Sequence, residues 1–239
     1  MLSALGYGLL ASSSLVLGAG LALIRPWPAR AVGLVLAFGA GALISAVSFE
    51  LAAEGLDVGS PGTVAIGLAA GALTYFALDG LVSGKGRGRK GRKETENPGT
   101  SLALGALLDG IPEQLVLGLG LAGGQGVGVG LLVAIYVSNL PEGIGSAADM
   151  RAAGRSRRSV FWLWLRVALV CTAATLAGYG FGDVTSGEFR AVIDGFAAGA
   201  LLVMLVDSMI PEARKDGGHA AGLVTVLGFA LATGLSALS

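Results

Sequence analysis

Two short motifs place a proline beside a carboxylate inside long apolar stretches of the chain. Residues 108–114 read LDGIPEQ and residues 138–143 read SNLPEG. An ionisable group at the centre of a bilayer costs about 2.5–3.5 kcal/mol on insertion scales. Proline has no N–H for the helical bond to the residue four back, so Pro112 frees the carbonyl of Leu108 and Pro141 that of Val137. Because such groups are costly in a membrane, the oxygen atoms of these two motifs are expected to have a functional role.

The composition places the chain among polytopic membrane proteins. It has 239 residues, of which 54% are hydrophobic and 13% charged, whereas soluble domains carry roughly 25% charged residues. Glycine occurs 41 times, and glycine lets membrane helices approach closely. The single cysteine, Cys171, excludes an internal disulfide. The apolar N-terminus has no basic leader and is interpreted as a first span, not a cleaved signal.

The apolar runs predict an all-α membrane protein that forms one polytopic domain over residues 1–239. A membrane helix needs about 20 mainly apolar residues. Eight stretches meet this requirement, and their predicted bounds are 4–24, 31–49, 63–82, 101–121, 127–148, 160–181, 189–210 and 220–238.

Lysine and arginine predict the orientation, because cytoplasmic loops collect positive charge. Placing the basic loop 85–93 in the cytoplasm puts 14 of the 16 basic residues on that side, with both termini outside the cell membrane. The loop 84–99 is rich in glycine and charge and is expected to be disordered. Arg190 lies one turn before Asp194 and is expected to pair with it.

The sequence also repeats internally. Residues 38–43 read FGAGAL and residues 196–201 read FAAGAL, and Glu54 and Glu212 match in the same register. Spans two and seven run in opposite directions, which suggests an inverted repeat in a 3+2+3 arrangement, a plan that marks secondary transporters. Small-residue packing alone is the alternative explanation, since residues 70–73 carry a similar pattern.

The two motifs together predict a metal site built from oxygen atoms. Asp109 and Glu113 are four residues apart and share a helix face, as do Ser138 and Glu142, with Asn139 three residues before Glu142. Spans four and five are antiparallel, so these groups can meet at similar depth. Buried carboxylates repel one another or take up protons unless a cation joins them. Oxygen ligands suit Mg, Ca or Mn, whereas nitrogen and sulfur favour Zn.

Simpler interpretations remain open for each feature. Either Pro-Glu pair alone could be a kink with a protonated, hydrogen-bonded glutamate. Other polar residues are assigned to interfaces, to an entrance or exit path, or to weak ligand roles: Glu50, Glu54, Asp79, Cys171, Asp207, Glu212 and His219. The glycine-rich segment 118–130 is not followed by Lys-Ser or Lys-Thr and is no phosphate loop.

These residues resemble the ZIP family (Zrt-, Irt-like proteins) of divalent-metal transporters. The resemblance rests on eight spans, the Pro-Glu motifs of spans four and five, and the end of span seven, where residues 207–213 read DSMIPEA. It implies a secondary transporter of Zn, Fe or Mn toward the cytoplasm, with the metal held by Asp109, Glu113, Ser138, Asn139 and Glu142. It implies neither an enzyme, a resident cofactor nor a nucleic-acid partner; a homodimer is one assembly it leaves open.

The chain departs from the family pattern at the ligands. Span four of the family typically reads His-Asn-x-Pro-Glu-Gly and span five His-x-x-Pro-Glu-Gly, so Asp109 and Ser138 stand in the histidine positions and Gly110 in that of the asparagine. Cys171 falls near a glutamate of span six. The alternatives are therefore a ZIP-like protein that has lost transport and serves as a binding or assembly partner, and a transporter of a different cation.

The charge asymmetry makes a prediction about topology. A single cysteine placed at Gly91, in a Cys171→Ser background, should resist an impermeant thiol reagent in intact cells and react after permeabilisation, because the basic loop is cytoplasmic. Labelling of intact cells from outside would reverse the orientation.

Overall fold

The computed structural model describes residues 1–82, 98–122, 129–182 and 187–237, and within these it leaves the side chains of 82, 98–106, 108, 109 and 129 outside the description. The described chain is helical. Its elements are α1 (Leu2–Ile24), α2 (Ala29–Ala46), a first π segment (Val47–Ala53), α3 (Glu54–Val58), α4 (Pro61–Val82), α5 (Pro98–Ala122), α6 (Val129–Ala152), α7 (Arg157–Gly182), α8 (Gly187–Met204), a second π segment (Leu205–Met209), α9 (Ile210–Gly217), a 3-10 turn (Gly218–Ala220) and α10 (Ala221–Ser236).

The prediction of an all-α membrane protein is confirmed. Six helical stretches of the described chain are long and apolar enough to cross a membrane, and a shorter apolar helix covers Gly110–Ala122. The last stretch, Gly187–Ser236, is 50 residues long, and Gly218 divides it with a φ of 66°. That value lies in the left-handed region, where glycine has no steric penalty. The expected disordered loop 84–99 lies outside the described residues except for its last two, which belong to α5.

The connection between α1 and α2 shows how the sequence ends a helix. Pro26 and Pro28 cannot continue α1, and Pro28 has an extended backbone, with a ψ of 128°, immediately before α2. Between them, the Trp27 indole N–H donates to the carbonyl of Leu21, and the Arg25 guanidinium stacks 4.4 Å from the Trp27 ring centre. These contacts satisfy a carbonyl at the end of α1 and fix the turn into α2.

The internal repeat reappears as two interruptions of helical geometry. The first π segment begins at Val47, nine residues after the start of the FGAGAL sequence, and the second begins at Leu205, nine residues after the start of FAAGAL. Both segments lead directly into a short α-helix, which begins at Glu54 in one case and at Ile210 in the other. The same sequence pattern thus gives the same local deviation twice, and π segments often occur at functional sites.

Pro211 does not end the second of these helices, although span seven was expected to stop at Ile210. The helix continues to Gly217, and Pro211 lies in the first turn of α9, directly after the second π segment. The matching stretch after the first π segment extends span two to Val58, beyond the expected Phe49. In both halves the helix therefore continues through a π segment and ends beyond the predicted bound.

Glycines bring the long helices into backbone contact in pairs. A Cβ at Gly41 of α2 would clash with the Thr225 carbonyl of α10, and one at Gly199 of α8 would clash with the Leu68 carbonyl of α4. These two pairs, α2 with α10 and α4 with α8, use matched positions of the repeat. Gly118 joins α5 to α7 in the same way, and Gly18 joins α1 to α6. Close approach through glycine is the usual packing of membrane helices.

The helix directions gather the basic connections that the structure describes, 25–28, 151–157 and 214–220, at one end of the molecule. Leu15 and Ala19 of α1 pack with Ala147 and Met150 near the end of α6 and with Val160 near the start of α7. α2 starts at this same end, because it runs antiparallel to α6. Gly33, near its beginning, meets Gly217 at the end of α9. The charge asymmetry of the sequence therefore corresponds to two ends of the fold, called here the basic end and the opposite end.

A large apolar cavity of about 690 Å³ separates α5 from α8. It lies between α4, α5, α7 and α8, beside Pro112 and Phe196. The counterpart contact of the other half, between α2 and α6, is close: a Cβ at Gly39 would lie 2.7 Å from the Cα of Ser138. The two halves therefore share a packing plan but differ in how tightly the central helices α5 and α6 are held.

The glycine contacts predict a position-specific loss of stability. Gly18→Ala should lower the free energy of unfolding by about 1–3 kcal/mol, because the new Cβ meets the Leu140 carbonyl and forces α1 away from α6. Gly20→Ala, two residues along the same helix and open on all sides within 4 Å, is the matched control and should be neutral or slightly stabilising. Thermal unfolding of the purified protein in detergent measures both, and equal melting temperatures would contradict the packing.

Candidate metal site

A small cavity of about 30 Å³ lies where α5, α6 and the second π segment face one another. Its lining combines carboxylates, hydroxyls, two methionines and one leucine: Leu36, Glu113, Ser138, Glu142, Met204, Ser208, Met209 and Glu212. A water-sized species needs roughly 10–15 Å³ of such space. The cavity can thus hold one ion or a very small number of waters.

Glu113 and Glu142 reach this cavity from neighbouring antiparallel helices. Each follows a proline that remains inside a continuous helix, Pro112 in α5 and Pro141 in α6. Glu113 is only 1% exposed, and Glu142 is partly buried. The spacing argument from the sequence expected these two carboxylates to meet at similar depth, and the structure places both on the wall of one cavity.

Ser138 and Asn139 are both buried, but only Ser138 lines the cavity. The Ser138 hydroxyl donates to the carbonyl of Ile135 in its own helix at 3.0 Å, which leaves its oxygen able to face a cation. Asn139 is 1% exposed, and its Nδ2 makes no hydrogen bond within the described part of the chain. Because Asn139 follows Ser138 directly in α6, its amide lies close to the level along the helix at which Ser138 lines the cavity.

Asp109 belongs to α5, but its side chain lies outside the described residues. Among the side chains that the structure describes, no group of three or more His, Cys, Asp or Glu residues is arranged to hold a metal ion. The five residues proposed from the sequence therefore divide into three that line one cavity, a buried amide next to Ser138 in the chain, and Asp109, whose side chain is not described; the metal-binding role of all five stays a prediction.

The thiol of Cys171 in α7 lies directly against Gly110 in α5. A Cβ on Gly110 would lie 2.8 Å from the Sγ of Cys171, so a larger residue at 110 would displace the thiol. Cys171 is fully buried and lies within electrostatic range of both Glu142 and Glu113. The absent side chain at position 110 thus leaves room for the Cys171 thiol between α5 and α7.

Gln114 connects the motif of α5 to α7. The Thr175 hydroxyl donates to the Gln114 Oε1 at 2.6 Å, and both side chains are completely buried. The contact lies one residue after Glu113 and one turn along α7 from Cys171. It fixes the rotation of α5 about its axis and so the direction in which Glu113 points.

Glu212 is the cavity residue that the sequence analysis assigned to an interface or exit path. It is the exposed carboxylate of the lining, and its Oε1 lies 3.8 Å from a Cβ position at Gly145, one turn beyond Glu142 toward the basic end. The cavity therefore opens toward the basic end. The sequence carried a signal for this residue, because Pro211-Glu212 is a third Pro-Glu pair among only seven prolines.

At the opposite end, the expected pair of Arg190 and Asp194 is confirmed. The Arg190 Nε lies 3.6 Å from an Asp194 carboxylate oxygen, and its NH2 group lies 3.8 Å from Glu54. Arg190 thus joins α3 to α8 across the end of the first π segment. These charges are remote from the cavity and belong to the packing of this end.

Comparison with known proteins agrees with the fold and the motifs. The sequence model of the family described as ZIP zinc transporter matches residues 93–236. A protein of Arabidopsis thaliana named "Putative zinc transporter At3g08650" is 31% identical over 196 residues. That match covers 77% of this chain and 30% of the relative, so the chain spans less than a third of the length of that protein.

The family match covers α5 to α10, which include both Pro-Glu helices, the second π segment and every lining residue of the cavity except Leu36. The motifs, the membrane helices and the matched segment all point to one assignment. The chain is a multi-pass membrane protein and belongs to the ZIP family of zinc transporters.

Proposed function

We propose that this chain is a secondary transporter that moves divalent metal cations toward the cytoplasm through a carboxylate site between α5 and α6. The observation that carries the proposal is the convergence of Glu113 and Glu142, from two antiparallel helices, on one buried cavity. Asp109, Ser138 and Asn139 complete the proposed ligand set. Neither a resident cofactor nor covalent chemistry takes part, and the metal ion is the substrate.

The proposed architecture has eight spans in a 3+2+3 inverted repeat. Two observations support it: the π segments begin at matched positions of the repeat, and the glycine contacts pair α2 with α10 as they pair α4 with α8. In this arrangement α5 and α6 form the central pair. Both termini lie outside the cell, and the basic end faces the cytoplasm. The cavity, which opens past Glu212, then faces the cytoplasm in this conformation.

The two buried carboxylates predict complete dependence of transport on their charge. Glu113→Ala or Glu142→Ala should reduce uptake of radioactive Zn or Mn into proteoliposomes to the level of empty vesicles, because each removes an anionic ligand from a site that offers few. Glu188→Ala changes an exposed carboxylate at the start of α8 and serves as the control. Uptake that survives both cavity substitutions would refute the assignment.

A protein that binds partners and has lost transport is the second candidate. It is favoured by the missing histidines and by the absence, among the described side chains, of a three-residue metal cluster. Thermal-shift titration with Mn, Fe, Zn, Cd, Mg and Ca separates the two, because an ion that binds only the folded state must stabilise it. No shift with any of these metals would favour the protein that has lost transport, or a transporter of a different cation.

The ligand set also predicts selectivity. Asp109 and Ser138 supply oxygen where imidazole would stand, so softer ions should lose part of their advantage over Mn. Asp109→His combined with Ser138→His should therefore raise the preference for Zn over Mn in competition uptake, whereas Cys171→Ser alone should change it little. An unchanged ratio in the double variant would mean that positions 109 and 138 do not line the path of the ion.

A further inference from the structure

Glu50 joins three helices at the opposite end of the molecule from the cavity opening. It lies in the first π segment, and its carboxylate accepts hydrogen bonds from the Ser236 hydroxyl, at the end of α10, and from the backbone N–H of Leu131, in the first turn of α6. The sequence alone suggested only that Glu50 could attract cations to an entrance. The contacts indicate a different role.

The bond to Leu131 satisfies a group that α6 cannot satisfy itself. The first four N–H groups of a helix have no partner within it, and α6 begins at Val129. A side-chain oxygen at this position accepts one of these bonds, as a capping residue does. Glu50 therefore caps α6, although it belongs to another helix.

Gly130 allows the Glu50 and Ser236 side chains to approach the first turn of α6. A Cβ at this position would clash with the Ser236 hydroxyl and would lie 2.5 Å from the Glu50 carboxylate. Any residue larger than glycine would push the capping groups away from the first turn of α6. The sequence at the start of α6 thus suits a cap supplied by neighbouring helices.

Elsewhere along the α2–α6 contact the helices approach through small residues. A Cβ on Gly39 would lie 2.7 Å from the Ser138 Cα. Small residues permit close approach, but van der Waals contact alone opposes sliding along the axis only weakly. The hydrogen bonds of Glu50 add a directional element to this packing.

We propose that Glu50 is a positioning residue that fixes the axial position of α6 against α2 and α10. Glu142 lies about 16 Å further along α6 at about 1.5 Å per residue, so the cap at Leu131 sets the depth at which Ser138 and Glu142 face the cavity. Glu50 acts through its hydrogen bonds and not through its charge. The consequence for transport rests on the proposed function, whereas the contact with α6 does not.

Two measurements on the full-length protein test the proposal. Hydrogen exchange in detergent should be about tenfold faster for the amides of residues 130–134 in Glu50→Ala, because the cap is lost. Glu50→Gln keeps an oxygen acceptor for both bonds and should exchange as the wild type does. In proteoliposomes, Glu50→Ala should raise the KM for Zn uptake about tenfold, and Glu50→Gln should restore it.

Asp57→Ala removes an exposed carboxylate at the same end of the molecule and should alter neither measurement. Ser236→Ala removes one of the two bonds and should give a smaller change in both measurements. This variant still tests the proposal if the Glu50→Ala protein does not accumulate. Equal losses in Glu50→Ala and Glu50→Gln would assign the effect to charge and overturn the proposal, as would unchanged exchange in Glu50→Ala. Absence of uptake in every variant, wild type included, would refute transport alone, since hydrogen exchange still decides the cap.

Discussion

Backbone contact through glycine is the interaction on which the fold depends. Lipid tails are as apolar as leucine side chains, so membrane helices gain no hydrophobic free energy by leaving lipid for one another. What remains is van der Waals contact, which needs close approach. Gly18, Gly41, Gly71, Gly118 and Gly199 each lie against a carbonyl of a neighbouring helix, where a Cβ would clash. These glycines are therefore a structural requirement and not only a mark of composition.

The two halves of the molecule use one packing plan for different chemistry. Glu50 and Ser208 occupy equivalent positions in the two π segments, since each is the fourth residue counted from the segment's first. Glu50 caps α6 at the opposite end, whereas Ser208 lines the cavity with Glu113 and Glu142. The repeat preserves the direction in which each π segment faces the central helices. It does not preserve what the side chains do there, and function depends on that difference.

The sequence predicted the all-helical membrane fold and the meeting of Glu113 with Glu142, because both follow from local rules. Runs of about 20 apolar residues give spans, and an Asp, Ser or Asn three or four residues before a glutamate gives a shared helix face. The repeat of FGAGAL was also visible. The π segments could not be predicted, because hydropathy does not register a change from one helical geometry to another.

The residues that the sequence did not assign to the cavity come from elements distant in the chain. Met204 ends α8, Met209 ends the second π segment and Glu212 lies in α9, and all three line the cavity. Glu212 looked interfacial because of its charged neighbours Arg214 and Lys215. No local pattern shows which side of an amphipathic helix end faces a partner, so the contact could only be inferred from the third Pro-Glu pair.

The composition of the cavity lining favours a cation. The described lining holds three carboxylates, Glu113, Glu142 and Glu212, and no lysine or arginine. Glu113 is 1% exposed, whereas Glu212 is exposed at the basic end. Carboxylates that share a poorly solvated space repel one another, and a cation between them removes that repulsion. Under the proposed function the metal ion binds deprotonated carboxylates, so we expect uptake to weaken as the pH falls.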